Sequence, residues 1–323
     1  MTTGLPALQR RGLWDIVDDP PFTLAELEAG IAAIQFRLTL PQDVQRLGLL
    51  FDYNFLTARQ WVQLGEWTSL KRAYRRLHLY LHTGLVGRRR IPYWGKRHRA
   101  REYAYGLTAF GLEFLRQKEW PGTETLPAGW LPPLERGSLR NNPEHDVAVA
   151  DLCLGILDYL GRRYHAEWFG AREAVEVVSP GDGGGPRRMV SPDAALYITG
   201  PNGTRVLLLI EYERTAHPEK VTRRLQQYAT YFTNQPWRRK YGGLTAQPFV
   251  VWSVSATADQ RRYWADPYAH VKELGGAYPI LYRRVWLLSE SSWRSGLYTL
   301  ESVEPGHKTL GLHELIDGAA LRE

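Results

Sequence analysis

Three carboxylates mark the stretch of this chain with the most chemistry in it. Asp193 follows Pro192 at the head of one apolar run, AALYITG. Glu211 and Glu213 close the next run, TRVLLLIEYE, after the turn Pro201-Asn202-Gly203. Seventeen residues separate Asp193 from Glu211. Carboxylates gathered near the end of a buried strand are partly desolvated like charges, an unfavourable arrangement unless a cation or protons relieve it. Hard oxygen donors of this kind suit Mg2+ or Mn2+. A metal held by Asp193, Glu211 and Glu213 would activate water and stabilise the pentacovalent phosphate of phosphodiester hydrolysis. In that reading Asp193 and Glu211 bind the ion and Glu213 completes the shell. The alternative is ion pairing, with Glu211 and Glu213 answered by Arg214, Arg223 or Arg224 and no metal bound. His145 opens a helix, where it caps, packs or points toward the acids.

These side chains need a frame. Alternate residues of a strand share a face, so Glu211 and Glu213 point the same way as Leu207 and Leu209. The unbroken apolar run Val206–Ile210 reads as a central strand covered on both faces. From residue 145 the pattern is a helix (HDVAVADLCLGILDYLGRRY), strand-like pieces (AEWFGAREAVEVV), the hairpin already described, and an amphipathic helix (HPEKVTRRLQQYATYF). That helix places Val221, Leu225, Tyr228 and Phe232 on one face and Lys220, Arg224 and Gln227 on another. The strand PFVVWSVS, a further helix and a last strand, YRRVWLLSE, follow. The order α-β-β-β-α-β predicts a sheet sandwiched by helices, an α/β architecture. The glycine-rich segment 179–192 lacks the GxxxxGK[ST] pattern and reads as a flexible loop.

A second concentration of chemistry is cationic. Residues 41–118 hold 15 Lys/Arg against 5 Asp/Glu, a balance of +10 in a chain of net charge +7, so the remainder carries −3. The segment reads as three helices, a hairpin and a fourth helix. Thr57 caps the second helix, Thr68 or Ser69 caps the third, and Gly84 ends it. In the third helix Leu70, Ala73, Tyr74, Leu77 and Leu81 form the expected inward face, while Lys71, Arg72, Arg75 and Arg76 project elsewhere. The hairpin adds Arg88, Arg89, Arg90, Lys96, Arg97, Arg99 and Arg101 with little acid nearby. A solvated face normally mixes signs, because unopposed like charges repel. A basic helix followed by a basic wing is the arrangement of a winged helix-turn-helix, whose helix fits the major groove of double-stranded DNA while the wing meets the backbone. Tyr93 and Trp94 stack on bases or pack the hairpin.

The domain plan is therefore a helical extension (1–40, with TLAELEAGIAAIQFRL as its helix), a winged helix (41–118), a Pro/Gly-rich linker (119–144) and a nuclease-like domain (145–323). The single cysteine, Cys153, has no disulfide partner and sits in an apolar setting suited to packing. Neither a zinc-type Cys/His spacing nor a GxSxG nucleophile motif is present, and no apolar run approaches a membrane span of roughly 20 residues. The N-terminus lacks an apolar signal-peptide core, which predicts a cytoplasmic protein.

The Pro192-Asp193…Glu211-x-Glu213 spacing resembles the PD-(D/E)xK nuclease core, except that Glu213 stands where that family has its lysine; the resemblance then implies that Lys220, in the following helix, positions the water in its place. Both halves together resemble the replication-relaxation family of plasmids and integrative elements. The likeness is carried by LTARQWVQLG, LHLYLHTGLVGRRR, YAYGLTAFGLEFL, HDVAVADL, PDAALYI and IEYERT followed by RRLQQY. It implies a winged helix joined to a degenerate nuclease-like domain. The positions carried over are His145, Asp193, Glu211, Glu213 and Thr215, with His217 and Lys220 where relatives have a basic residue. The functional expectation is a DNA-binding protein of a plasmid, integrative element or phage. Its nuclease-like domain either hydrolyses DNA with Mg2+ or Mn2+ or serves, without catalysis, as a docking subunit in replication, mobilisation or defence. A winged-helix transcriptional regulator is the further alternative. Expected partners are double-stranded DNA, proteins of those machineries and a second copy of the chain, with no membrane.

Overall fold

The computed structural model describes residues 41–91, 102–127, 129–135, 142–179, 188–213, 218–241, 243–254, 267–304, 306 and 308–319. Readings placed on residues 1–40, on Tyr93, Trp94, Lys96, Arg97, Arg99 and Arg101, on most of the glycine-rich loop, and on Arg214, Thr215 and His217 lie outside them. The chain divides into two compact units between Ala150 and Asp151.

In the first unit the described elements are α1 (Pro41–Tyr53), β1 (Phe55–Thr57), α2 (Ala58–Gln63), α3 (Leu70–His82), β2 (Val86–Ile91), β3 (Glu102–Leu107) and α4 (Ala109–Gln117). The strands form an antiparallel sheet in the order β1-β3-β2. Local chemistry sets the helix starts. Thr57 and Gln60 make a reciprocal capping box at α2, with Gln60 N–H donating to Thr57 Oγ1 at 3.2 Å and Thr57 N–H to Gln60 Oε1 at 2.8 Å. Ser69 Oγ caps α3 through Arg72 N–H at 3.4 Å. The short strand β1, which the sequence pattern does not announce, pairs with β3 from Phe55↔Gly106 to Thr57↔Ala104.

One expectation for α3 is corrected. Its buried stripe is Ala73, Leu77, Tyr80 and Leu81, whereas Leu70 and Tyr74 are 41% and 49% exposed. The stripe turns toward α1, where Asp43, fully buried, accepts from Tyr80 Oη at 2.5 Å and pairs with both Arg76 and Arg46. Burial and the adjacent Asp43 carboxylate push the Tyr80 hydroxyl well above its ordinary pKa.

Helix α5 (Pro143–Leu160) contains the division between the units. There follow β4 (His165–Gly170), α6 (Ala171–Ala174), β5 (Glu176–Ser179), β6 (Arg188–Val190), β7 (Ala194–Thr199), β8 (Arg205–Glu213), α7 (Pro218–Asn234), α8 (Trp237–Lys240), β9 (Phe249–Val254), α9 (Pro267–Gly276), β10 (Val285–Ser289), α10 (Glu290–Arg294), β11 (Thr299–Ser302), β12 (Thr309–Gly311) and α11 (Leu312–Asp317). Seven strands form a mixed sheet in the order β12-β11-β10-β9-β8-β7-β4, with β8, β9 and β10 parallel and the other neighbours antiparallel. Strands β5 and β6 pair separately.

The fold is thus mixed α/β. Read through its large sheet, α5-β4-β7-β8-α7-β9 follows the expected α-β-β-β-α-β order, interrupted by α6 and the β5–β6 hairpin. Gly203, at φ +79°, turns the β7–β8 hairpin, a backbone region glycine enters without steric cost. Every residue of β8 after Arg205 is buried, as expected of a strand with both faces covered. On one face Leu207 and Leu209 pack in a cluster with Val221, Leu225 and Tyr228 of α7 and with Val250 and Trp252 of β9. Cys153, on α5, is buried. No helix among the described residues is long and apolar enough to cross a membrane.

Candidate functional site

The acid row forms because two chain segments are laced together around Glu211. Asp193, just before β7, donates its N–H to the Ile210 carbonyl at 2.9 Å and accepts Tyr212 N–H on Oδ2 at 2.8 Å. It thereby grips β8 on both sides of Glu211. Strand alternation turns Glu211 and Glu213 to the α7 face, where they are 3% and 5% exposed.

Helix α7 answers them with a polar stripe at i, i+4 and i+8. Lys220 Nζ lies 3.1 Å from Glu213 Oε2. Arg224 pairs with Glu211 Oε2 and also donates to the Ser191 carbonyl at 3.0 Å. Tyr228 Oη donates to Glu211 Oε1 at 2.5 Å. Burial pushes Glu211 up to about 7. Asp193 adds to that rise, while Arg224 and Tyr228 oppose it. Desolvation opposes the charge on Arg224, but Glu211 and Asp193 outweigh it, so the guanidinium stays protonated. Desolvation, reinforced by Glu211, drives Tyr228 well above its ordinary value, so it is a donor and never a phenolate here.

The four residues expected to act together, Asp193, Glu211, Glu213 and Lys220, are therefore brought into one neighbourhood. Their oxygens, however, are already engaged: both of Glu211 by Arg224 and Tyr228, Oδ2 of Asp193 by the backbone, and Glu213 by Lys220. Among the described residues no group of three His, Cys, Asp or Glu is placed to hold a metal ion. In this arrangement Arg224 brings Glu211 the positive charge that a divalent cation would otherwise supply. His145 lies in the first turn of α5, with its N–H on Asn142 Oδ1 at 3.2 Å and its Nδ1 3.5 Å from Asp146.

A second polar network escaped the sequence reading. Tyr212 points away from the acid row and donates to Glu290 Oε1 at 3.0 Å. Arg294 donates to the same oxygen at 2.7 Å and lies 3.7 Å from Asp151. Trp293 Nε1 donates to Ser253 Oγ at 2.9 Å. The i, i+4 spacing of Glu290 and Arg294 is the signal that marks half of it.

The cationic residues of the first unit divide by geometry. Lys71, Arg72 and Arg75 are exposed on α3, and Arg90 is exposed on β2. Among the described residues no carboxylate pairs with Lys71, Arg75 or Arg90. Arg76, by contrast, is committed to buried Asp43. On β2 the alternation separates Arg88, laid over the Tyr103 ring at 4.2 Å, from Arg89, whose Nη2 donates to the Leu134 carbonyl at 3.1 Å.

A family model described as Replication-relaxation matches residues 47–246, more than half of the 323-residue chain. The match runs through both units and includes the acid row and the α7 stripe. Neither a curated protein nor a solved structure gives a significant match.

Proposed function

The chain belongs to the replication-relaxation family, and from that premise we propose that it is a DNA-binding protein serving the replication or mobilisation of a plasmid, integrative element or phage. The observation that carries the reading is the exposed cationic arc of α3 with Arg88 and Arg90 of β2 beside it. The element order helix, strand, helix, helix, hairpin supports a winged helix that lays α3 in the major groove of duplex DNA. Lysines and arginines meeting phosphate release condensed counterions, so affinity falls steeply with salt.

For the second unit we propose a nuclease-like scaffold that does not cut. Its acids are neutralised from within by Arg224, Tyr228 and Lys220, which leaves the unit as a docking or DNA-supporting subunit. The competing reading, metal-dependent cleavage, draws on the assembly of Asp193, Glu211, Glu213 and Lys220, and it requires Arg224 to leave Glu211.

The test uses the full chain with supercoiled, linear, single-stranded and branched DNA, with and without Mg2+ or Mn2+. Binding without strand scission is expected. The triple variant Lys71→Ala/Arg75→Ala/Arg90→Ala should weaken duplex binding at least tenfold and flatten the log–log salt slope by about 2.7, near 0.9 for each phosphate that is no longer neutralised. Cleavage that needs metal and disappears in Asp193→Ala would replace the scaffold reading with the enzymatic one. An unchanged salt slope in the triple variant would remove α3 and β2 from the interface.

A further inference from the structure

The exposed side of α3 carries more than lysine and arginine. Its outward arc continues from Arg72 and Arg75 to His78 and His82, both exposed. These residues, with Trp67, Arg76 and Leu79, line a surface groove of about 500 Å³. The two imidazoles stand one turn apart with ring centroids 4.4 Å from each other. Two protonated imidazoles this close repel. Desolvation, followed by the charge of His78, accordingly holds His82 below the ordinary histidine value.

Among the described residues, the acids near the groove are Asp43 and Glu66. From α3 come Arg72, Arg75 and Arg76; from the preceding turn come Trp67 and Glu66; from α1 come Asp43 and Arg46. The two acids are already answered. Asp43 is taken by Arg76 and Tyr80, and Glu66 accepts from Arg46, whose guanidinium lies 5.1 Å from the Trp67 ring centroid. The groove thus gathers cationic and proton-accepting groups around a volume large enough for a phosphate group, with its acids turned to other partners.

We propose that this groove seats a backbone phosphate of DNA and that His78 and His82 belong to the DNA contact, taking up protons as the phosphate arrives. The proposal rests on the DNA-binding reading and extends it to residues outside the Lys/Arg set. A phosphate between the rings relieves their mutual repulsion and favours their charged forms. The linkage fixes the sign: if the bound state holds more protons, binding tightens as the pH falls through the histidine range.

The experiment measures binding of a short fluorescent duplex to the full chain at pH 8 and pH 6, at constant ionic strength, for the wild type and for His78→Gln/His82→Gln. Wild-type affinity should rise about tenfold between pH 8 and pH 6, and the salt slope should steepen by about 1 to 2 as charges join the interface. The double variant should lose the pH response, and a thermal melt that matches the wild type's shows it to be folded. NMR titration of the imidazole protons should show the His82 pKa rising when duplex is added. Competition by millimolar inorganic phosphate at pH 6, absent from the double variant, further supports a phosphate seat. A pH response that survives intact in His78→Gln/His82→Gln, or imidazole titrations that duplex leaves unmoved, overturns the proposal alone. Failure to bind duplex at either pH overturns the DNA reading and this proposal with it.

Discussion

Two helices of this protein carry cations at turn-to-turn spacing and use them in opposite ways. On α3, Lys71 and Arg75 face solvent, and no carboxylate among the described residues answers them. On α7, Lys220 and Arg224 reach down to Glu213 and Glu211 on the buried face of β8. The difference teaches what burial does to charge. An exposed cation costs little and remains available to a partner. A buried carboxylate costs several kcal/mol unless charge and hydrogen bonds meet it inside the fold. Arg76 shows the rule operating within a single helix, because although it sits next to Arg75 it is withdrawn from the surface by Asp43.

The largest expected effect breaks the buried side of the comparison. Arg224→Met should destabilise the second unit by about 3–5 kcal/mol at pH 8 in denaturant melts, because Glu211 and Asp193 then lose their cation. Duplex binding through the first unit should persist in the same protein under conditions where it remains folded. A loss below about 1 kcal/mol would mean that Arg224 lies on the acid row without supporting it.

The next test uses protons. Glu211 is raised from an ordinary carboxylate value to about 7 in the folded protein. The folded state therefore binds more protons than the unfolded state between those values. Stability contributed by this group is full below the unfolded pKa and is lost as the pH rises through about 7. The stability difference between wild type and Glu211→Gln should therefore shift by up to about 3 kcal/mol, against the wild type, from pH 4.5 to pH 8. A difference that does not vary with pH would show Glu211 ionised throughout and Arg224 sufficient alone.

The smallest effect sharpens the contrast inside α7. Lys220 is 43% exposed at its side chain, so its pair with Glu213 is screened by water. Lys220→Ala should cost less than about 1 kcal/mol, several-fold less than loss of Arg224 one turn further along. Equal losses for the two variants would mean that burial does not rank these pairs.

Much of the acid row is legible from residue order. The greasy run before Glu211 announces a central strand. The alternation of Glu211, Tyr212 and Glu213 announces two acids on one face, and the 220/224 spacing announces cations on one side of a helix. By spacing Tyr228 belongs to the apolar stripe, and it does pack in the core, yet its hydroxyl also completes the shell of Glu211. One residue serves both purposes because a tyrosine ring is apolar while its tip is not. Leu70 and Tyr74 match helical spacing as well as Ala73 and Leu77 do, but the burial of α3 centres on Ala73, Leu77, Tyr80 and Leu81, where Asp43 of α1 holds Tyr80 and Arg76. Strands β11 and β12, of four and three residues, are too short for a period to stand out.

The sequence by itself determined the parts: the helices with their caps, the central strand, the cationic character of residues 41–118 and the three carboxylates seventeen residues and a hairpin apart. Those follow from interactions between residues a few positions apart, where spacing alone decides which side chains share a face. Only the tertiary structure decided which cation meets which acid: Arg224 rather than Arg223 for Glu211, Arg76 for Asp43, and Arg294 for Glu290. A charged side chain reaches whatever the crossing of two elements brings within about 3 to 4 Å, and in a low-dielectric interior that distance determines whether the charge is stabilised or expelled.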